Sequence, residues 1–172
     1  MRYIGIDPGL SGALAVIDDQ GKPWVMDVPT FTITTQGRKT KTHQMYDMRN
    51  LSTALIEIRN GGACHAGLEK IHAMPKQGVN SMFSMGVGFG MWEAFLCALG
   101  MTYELITPQA WKKKLMEGMG KEKSASVIKA KQLFPTLELT RKKIVGKGEI
   151  SFDGRADAIL IAEYLRRNHQ GG

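Results

Sequence analysis

The feature that most restricts the fold of this chain is its opening, which has three short apolar runs separated by two tight turns. The runs cover residues 2–6, 13–17 and 24–28, and the turns are Asp7-Pro8-Gly9 and Asp18-Asp19-Gln20-Gly21. Proline fixes φ in such turns and glycine accepts a positive φ. Strands joined this closely pair with their neighbours in sequence. The opening therefore predicts three consecutive antiparallel strands, the first of which ends at Asp7.

The rest of the chain alternates between helical and strand patterns. Met45, Met48, Leu51, Leu55 and Ile58 recur at helical spacing before Asn60-Gly61-Gly62, and fourth and fifth strands are predicted over 64–71 and 103–106. A helix between two strands of one sheet implies parallel pairing. We expect further helices over 79–99, from Thr107-Pro108 onward, over 124–134 and over 153–167. Residues 31–43 are predicted to be an exposed loop or a ragged hairpin, and 137–150 a basic irregular stretch.

These elements predict an α/β fold. Its mixed five-stranded sheet would have three antiparallel strands followed by two parallel ones, flanked by helices. The length of 172 residues predicts one domain spanning 1–172. With 43% hydrophobic and 23% charged residues, the composition excludes disordered, collagenous and disulfide-scaffold proteins.

The cysteines, the N-terminus and one apolar segment indicate the cellular location of the protein. Cys64 and Cys97 form no CxxC pair, and the N-terminus has no signal-peptide pattern, so we expect a reducing, cytoplasmic location. The apolar segment 82–100 contains Glu93 near its middle, which argues against a membrane span. We therefore expect no membrane association.

The net charge points to a class of partner. There are 23 Lys and Arg residues against 16 Asp and Glu, which gives a formal net charge of +7. Such a surface attracts polyanions, and nucleic acid is the leading candidate. The alternative is a basic protein whose lysines are scattered evenly, because net charge alone does not show clustering.

Four acids stand where packing alone would not place them. Asp7 ends a strand, Glu69 interrupts an apolar strand, and Asp153 and Asp157 are four residues apart on one helix face. Converging carboxylates repel one another and are costly to bury unless divalent cations neutralise them. Oxygen ligands of this kind hold Mg²⁺. Each acid also has an ordinary interpretation: a turn former, an ion-pair partner, a helix cap or a group favoured by the helix dipole.

The order of these acids resembles that of RuvC-type Holliday junction resolvases, which have a ribonuclease H-like fold. Ile4-Gly5-Ile6-Asp7-Pro8-Gly9-Leu10-Ser11-Gly12-Ala13 is similar to their opening motif, and Leu68-Glu69-Lys70 to their strand-end glutamate. Thr107-Pro108-Gln109-Ala110-Trp111-Lys112-Lys113 and Asp153-Gly154-Arg155-Ala156-Asp157-Ala158 resemble two later segments. The resemblance covers nearly the whole chain and is greatest to the phage-encoded branch, which would place the protein in a host cytoplasm.

The resemblance implies a homodimeric, Mg²⁺-dependent endonuclease that cuts four-way junctions and other branched DNA by paired nicks. Asp7, Glu69, Asp153 and Asp157 would hold two ions per active site, with Mn²⁺ able to substitute and no small-molecule cofactor. Lys121 or Lys123 corresponds in position to the active-site lysine of the family.

Two departures from the family pattern concern the site. The spacing of Asp153 and Asp157 is one residue wider than in the bacterial enzymes, and His72 stands where those enzymes have a base-inserting phenylalanine. The resemblance and the charge pattern together predict a DNA-binding set made of Arg38, Lys39, Lys41, His72, Lys76, Lys112, Lys113, Lys142 and Lys143.

The helix over 79–99 is the predicted dimer interface. Its small residues Gly86, Gly90, Ala94 and Ala98 would pack on the sheet and leave Met82, Met85, Phe89 and Trp92 for a partner. The alternative is that these four large residues lie under basic loops of the same chain.

Three other functions remain open. One is a ribonuclease H-fold nuclease acting on RNA or RNA–DNA hybrid, and another is a protein that binds branched DNA without cutting it. The third is a sugar-kinase or actin-like ATPase, which also has a first strand ending in Asp but needs two lobes around its nucleotide.

Overall fold

The computed structural model describes residues 1–36, 40–72, 78–120, 122, 124–142 and 149–170. The strands are β1 Arg2–Asp7, β2 Ala13–Ile17, β3 Pro23–Asp27, β4 Thr30–Thr35, β5 Lys41–Tyr46, β6 Cys64–Glu69, β7 Thr102–Ile106, β8 Thr140–Lys142 and β9 Glu149–Ser151. The helices are α1 Met48–Asn60, α2 Val79–Ala98, α3 Pro108–Leu115, α4 Ser124–Leu133 and α5 Asp153–Gln170.

The central sheet has the strand order β3-β2-β1-β6-β7. β1 pairs antiparallel with β2, β2 antiparallel with β3, and β6 pairs parallel with both β1 and β7. This is the predicted mixed sheet of three antiparallel and two parallel strands. Because β1 and β6 are parallel neighbours, their carboxyl ends meet at one edge of the sheet.

Helices cover both faces of this sheet. Alternate strand residues point to opposite sides, and the apolar ones pack against helices on each side. On one face, Tyr3 and Ile17 pack with the buried residues of α3, α4 and α5. On the other, Ile4 and Ile6 pack with residues of α1 and α2. The helix α5 lies directly on β1, since a Cβ atom at Gly5 would overlap the carbonyl oxygen of Ala158. Glycine at this position therefore allows the helix backbone to approach the strand.

The hairpin predicted as one of two alternatives for residues 31–43 is confirmed, and two other segments differ from their predicted structure. Residues 31–43 were expected as a loop or a hairpin, and the structure has the hairpin, β4 paired with β5. Met45 belongs to β5, so the following helix begins only at Met48, where Asp47 caps it by accepting a hydrogen bond from the backbone N–H of Asn50 at 3.1 Å. The basic stretch after residue 137 includes the short strand pair β8 and β9, which breaks the expectation of a fully irregular segment.

The predicted orientation of α2 is wrong. Gly86, Gly90, Ala94 and Ala98 are not part of the core, whereas Trp92 is completely buried in it with Met91 and Leu96. Burying large apolar side chains removes more surface from water than burying glycine and alanine, at about 25 cal/mol per Å². The exposed apolar residues of this helix are instead Val79, Phe83 and Val87. Within the described part of the chain, none of the helices combines the length and the apolar composition that a membrane span needs.

Candidate active site

Two of the four predicted acids lie side by side at the carboxyl edge of the sheet. Asp7 is the last residue of β1 and Glu69 the last of β6, and the pairing of Ile6 with Leu68 brings the two acids into neighbouring positions. The turn after Asp7 folds back on it, with the Gly9 backbone N–H donating to Asp7 Oδ1 at 3.4 Å. Both side chains are therefore held by strand ends rather than by a long loop.

The start of α5 brings Asp157 to the same edge. A Cβ atom at Gly154 would overlap the backbone carbonyl of Ser11, so the first turn of the helix sits against the turn that follows β1. Arg155 fixes the helix to β3, with two donor nitrogens 2.6 and 2.8 Å from the Asp27 carboxylate. Asp157 follows two residues later, and its Oδ1 is buried without a hydrogen-bond partner among the described residues. A buried carboxylate oxygen in this state is a ligand position that a cation would satisfy.

The electrostatics of the three acids are mutually unfavourable. Burial is the main cause that raises the pKa of Asp7 from 3.8 to about 7, and the charges of Glu69 and Asp157 contribute to the rise. Burial also raises the pKa of Glu69 and of Asp157. The positive charge of Lys112 opposes the rise in the pKa of all three acids. Three desolvated carboxylates that perturb one another in this way call for positive charge between them.

The four acids do not converge as closely as the ligands of one bound ion. Their ligand atoms form no group of three within 4.8 Å among the described residues. Asp153 lies one helical turn before Asp157, raises the pKa of Asp157 by its charge, and lines with it a cavity of about 460 Å³. Lys112, Glu122 and Ser126 also line this cavity. The donor set is carboxylate oxygen throughout, which suits hard cations such as Mg²⁺.

Helix α3 contributes two residues that sequence reasoning did not assign to the catalytic centre. The indole Nε1–H of the fully buried Trp111 donates to Glu69 Oε1 at 2.9 Å, which orients this carboxylate. Lys112, predicted to be a DNA contact, carries a charge that acts on all three acids, and its Nζ lies 4.9 Å from the centre of the Trp111 ring. The sequence signal was the position of α3, which begins directly after β7 at the edge of the sheet where Asp7 and Glu69 end.

The hairpin of β4 and β5 is anchored beside the acids. The Tyr46 hydroxyl donates to the carbonyl oxygen of Pro8 at 3.0 Å, and burial together with the Asp7 charge raises the pKa of Tyr46. Glycine at position 88 allows α2 to approach the Tyr46 ring, which a Cβ atom would overlap. The body of the hairpin is exposed and includes Lys41.

The structure describes only some of the remaining residues that were predicted to bind DNA or to act in catalysis. His72 and Lys113 are exposed, the first beyond the end of β6 and the second on α3. The backbone of Lys142 is in β8, while its side chain lies outside the described part of the chain. Six other predicted residues are also outside the described ranges: Arg38, Lys39, Lys76, Lys121, Lys123 and Lys143.

Comparison with known proteins establishes the class of fold. No protein-family profile matches the sequence, and no curated protein matches it in sequence. Among solved structures, the chain is similar to Thermus thermophilus RuvC in complex with a Holliday junction substrate. The TM-score is 0.59 at 14% identity, covering 100% of this chain and 97% of that one. A second Thermus thermophilus RuvC structure gives a TM-score of 0.55 at 12% identity, covering 98% and 97%. The fold is therefore RuvC-like and ribonuclease H-like, as predicted.

Proposed function

We propose that this protein is a structure-specific endonuclease that resolves four-way junctions and other branched DNA by metal-dependent phosphodiester hydrolysis. The observation that carries the proposal is the meeting of half-buried Asp7, Glu69 and Asp157 at the carboxyl edge of a RuvC-like sheet, with Asp157 Oδ1 lacking a partner in the described part of the chain. In this interpretation the whole chain, residues 1–172, is one nuclease domain.

The ligand set fits a pair of Mg²⁺ ions, for which Mn²⁺ would substitute. Asp7, Glu69 and Asp157 would hold them, with Asp153 completing the set from the cavity wall. The family resemblance implies two ions bound by these acids. Ions bound there would supply Lewis-acid activation of a water and charge stabilisation at the leaving oxygen.

The protein's own groups have separate roles in this scheme. Trp111 holds Glu69 in place through its indole N–H, so it is a positioning residue. Lys112 is the described lysine whose charge acts on all three acids, and we assign it to the scissile phosphate. Lys121 and Lys123 are alternatives for this role, and only the family resemblance supports them.

The DNA would lie across the edge of the sheet where the acids meet. Lys112 and Lys113 on α3, Lys41 on the hairpin and His72 after β6 would contact it there. The other predicted contacts, Arg38, Lys39, Lys76, Lys142 and Lys143, belong to the same proposal. One similar solved structure is a RuvC complex with a Holliday junction substrate, which supports branched DNA as the substrate class.

Paired nicks require two active sites related by two-fold symmetry, so the proposal includes a homodimer. In this proposal the two subunits meet through the exposed apolar residues of α2, namely Val79, Phe83 and Val87. These residues take the place of the four that the sequence predicted for the dimer interface. A cytoplasmic location and a phage origin belong to the same proposal and rest on the sequence.

The test is incubation of the purified chain with a four-way DNA junction, linear duplex and RNA–DNA hybrid, each with Mg²⁺ or EDTA. We expect junction cleavage that needs Mg²⁺. Preferential cleavage of the hybrid would favour a ribonuclease, and binding without cleavage would favour a non-cleaving junction-binding protein.

A variant pair ties the activity to the acids. Loss of an outer partner of a metal ligand costs 10–100-fold, so removal of a ligand in Asp7→Asn should lower cleavage by at least about 100-fold. Junction binding should persist, because losing a negative charge does not weaken attraction to phosphate. The exposed turn variant Asp19→Asn removes the same charge and should cleave normally.

A further inference from the structure

A second cluster of ligand-type side chains lies away from the acids. The Nε2 atoms of His65 and His169 are both 3.1 Å from Glu104 Oε1, and the two imidazole rings are 4.5 Å apart between centroids. The three potential ligand atoms lie within 4.8 Å of one another. The side chains are 19% exposed for His65 and 43% exposed for the other two, so an ion in solution can reach them.

The fold explains why these three residues meet. Residues 65, 67 and 69 of β6 point to the face covered by α5, where a Cβ atom at Gly67 would contact Ile161 and Leu165. Asp157, Ile161, Leu165 and His169 recur every four residues, so they form one stripe along α5. This stripe runs beside β6, with Asp157 near Glu69 at one end and His169 near His65 at the other. Glu104 comes from the adjacent strand β7.

The cluster is therefore separate from the candidate active site. His65 precedes Glu69 by four residues, about 13 Å along an extended strand. The donor sets also differ, because two imidazoles with one carboxylate suit zinc-type ions, whereas an all-carboxylate set suits Mg²⁺. The observed N···O separations of 3.1 Å are close to the roughly 3.3 Å between ligand atoms around tetrahedral zinc.

We propose that His65, Glu104 and His169 form a binding site for a divalent transition-metal ion of the zinc type. Three protein ligands leave a fourth position for water on the exposed side. The ion would tie the last turn of α5 to β6 and β7, which makes it a structural clamp. Tyr3 supports this arrangement by stacking on His169, with ring centroids 6.1 Å apart.

The alternative is a hydrogen-bonded group in which both histidines donate to Glu104 and no ion binds. The two arrangements differ in what Zn²⁺ does to the folded protein. A ligand that binds only the folded state raises the melting temperature, and the rise depends on its concentration. A purely hydrogen-bonded group gives no such rise.

The experiment uses the tag-free full chain after EDTA treatment and removal of the chelator. Zn²⁺ is titrated in competition with a chromophoric chelator, and melting temperature is followed in parallel. The titration is made in excess Mg²⁺, which would occupy the acids of the proposed nuclease site. We then expect a saturable site with one Zn²⁺ per chain and a raised melting temperature, with Mg²⁺ unable to compete at this site. We expect His65→Ala and His169→Ala each to weaken binding by about tenfold or more, and therefore to reduce the rise in melting temperature at a given Zn²⁺ concentration.

Three further variants test whether the ion binds at these three side chains. His43→Ala removes a histidine from the exposed hairpin and should bind Zn²⁺ as the wild type does. Asp7→Asn should also bind Zn²⁺ as the wild type does, because Asp7 lies at the opposite end of the sheet. Glu104→Gln keeps the side-chain size, so it tests the carboxylate even if an alanine variant fails to fold. Absence of a one-to-one site, or equal affinity in Glu104→Gln and the wild type, would overturn the proposal.

Discussion

At the scale of single residues, the Asp7 carboxyl is strongly altered by the fold. Burial first, and then the neighbouring acids, raise its pKa from 3.8 to about 7. Between these values the folded protein retains a proton that the unfolded chain has released. In the absence of metal, the contribution of Asp7 to the free energy of unfolding therefore falls as the pH rises from about 4 to about 7.

This linkage gives a prediction for the metal-free protein. In EDTA at about pH 8, Asp7→Asn should be more stable than the wild type, by at most about 4 kcal/mol for a pKa rise of this size. The difference should disappear below about pH 4, where the wild-type carboxyl is protonated in both states. Thermal unfolding at both pH values measures it. A variant that is less stable than the wild type at pH 8 would contradict the conclusion that the ionised Asp7 carboxylate destabilises the metal-free fold.

Two controls accompany this measurement. Asp19→Asn should follow the wild type at both pH values, because Asp19 is in an exposed turn. Adding Mg²⁺ at pH 8 should stabilise the wild type more than Asp7→Asn, since the ion relieves repulsion among the ionised acids.

At the scale of elements, α3 supports the site through one indole. Trp111→Phe keeps an aromatic core residue but removes the N–H that donates to Glu69. Loss of an outer partner of a metal ligand costs about 10–100-fold in activity or metal affinity. We expect junction cleavage to fall within that range and the Mg²⁺ concentration for half-maximal rate to rise. Circular dichroism should change little, whereas the melting temperature should fall because the smaller ring leaves a cavity in the core.

The matched control for this prediction is Trp24→Phe. Trp24 is on β3 and is 47% exposed, so its substitution should leave the Mg²⁺ dependence unchanged. An unchanged Mg²⁺ dependence in Trp111→Phe as well would show that the Glu69 contact has no part in positioning a ligand.

The second element with a testable role is α2. Phe83 is 74% exposed, so a charge at this position should not disturb the core. Phe83→Glu is expected to give a folded monomer that binds junctions weakly and no longer makes paired nicks. Sedimentation of the variant and the wild type at micromolar concentration measures the change. Ile128→Glu, at an exposed apolar position on α4, should sediment as the wild type does.

The elements also show where sequence reasoning succeeds and fails. The sheet was predicted correctly because short runs, tight turns and one intervening helix leave few topologies. The buried face of α2 was predicted wrongly, because large apolar residues surround this helix and periodicity does not select one side. Met45 fits the helical spacing of α1 but lies in β5, since Asp47 begins the helix later.

The same distinction applies to the candidate site. Strand ends and helix faces in the sequence were enough to select Asp7, Glu69, Asp153 and Asp157. The contact from Trp111 to Glu69 joins residues 42 positions apart, and only the packed structure contains it. Residues that act through another side chain carry little local signal, whereas acids inside apolar runs carry a strong one.

At the scale of the whole molecule, the net charge of +7 predicts that the proposed DNA binding weakens as the salt concentration rises. Each phosphate contact contributes about 0.9 to the slope of log affinity against log salt for duplex DNA. Replacing Lys112 and Lys113 with alanine should therefore reduce the slope for junction binding by about 1.8. Fluorescence anisotropy across a range of salt concentrations measures this slope.

A lysine at the opposite end of the sheet provides the control. Lys22 precedes β3, whose other end, Asp27, is on the side of the acids. Lys22→Ala should leave the slope unchanged. An equal reduction in both variants would mean that phosphate contacts are spread over the whole surface.

The packing of α5 on β1 has a consequence for the stage of folding at which the proposed nuclease site can form. β1 contributes Asp7, and a helix about 150 positions later contributes Asp157, so the acid set exists only after the two ends of the fold have docked. Contacts of such large sequence separation form late and slowly in folding. A nascent or partly unfolded chain therefore holds these carboxylates apart, and the proposed cleavage activity would require the native state. For the same reason, a chain divided between residues 70 and 152 would yield two pieces that each lack part of the acid set, and restored cleavage would report their reassembly.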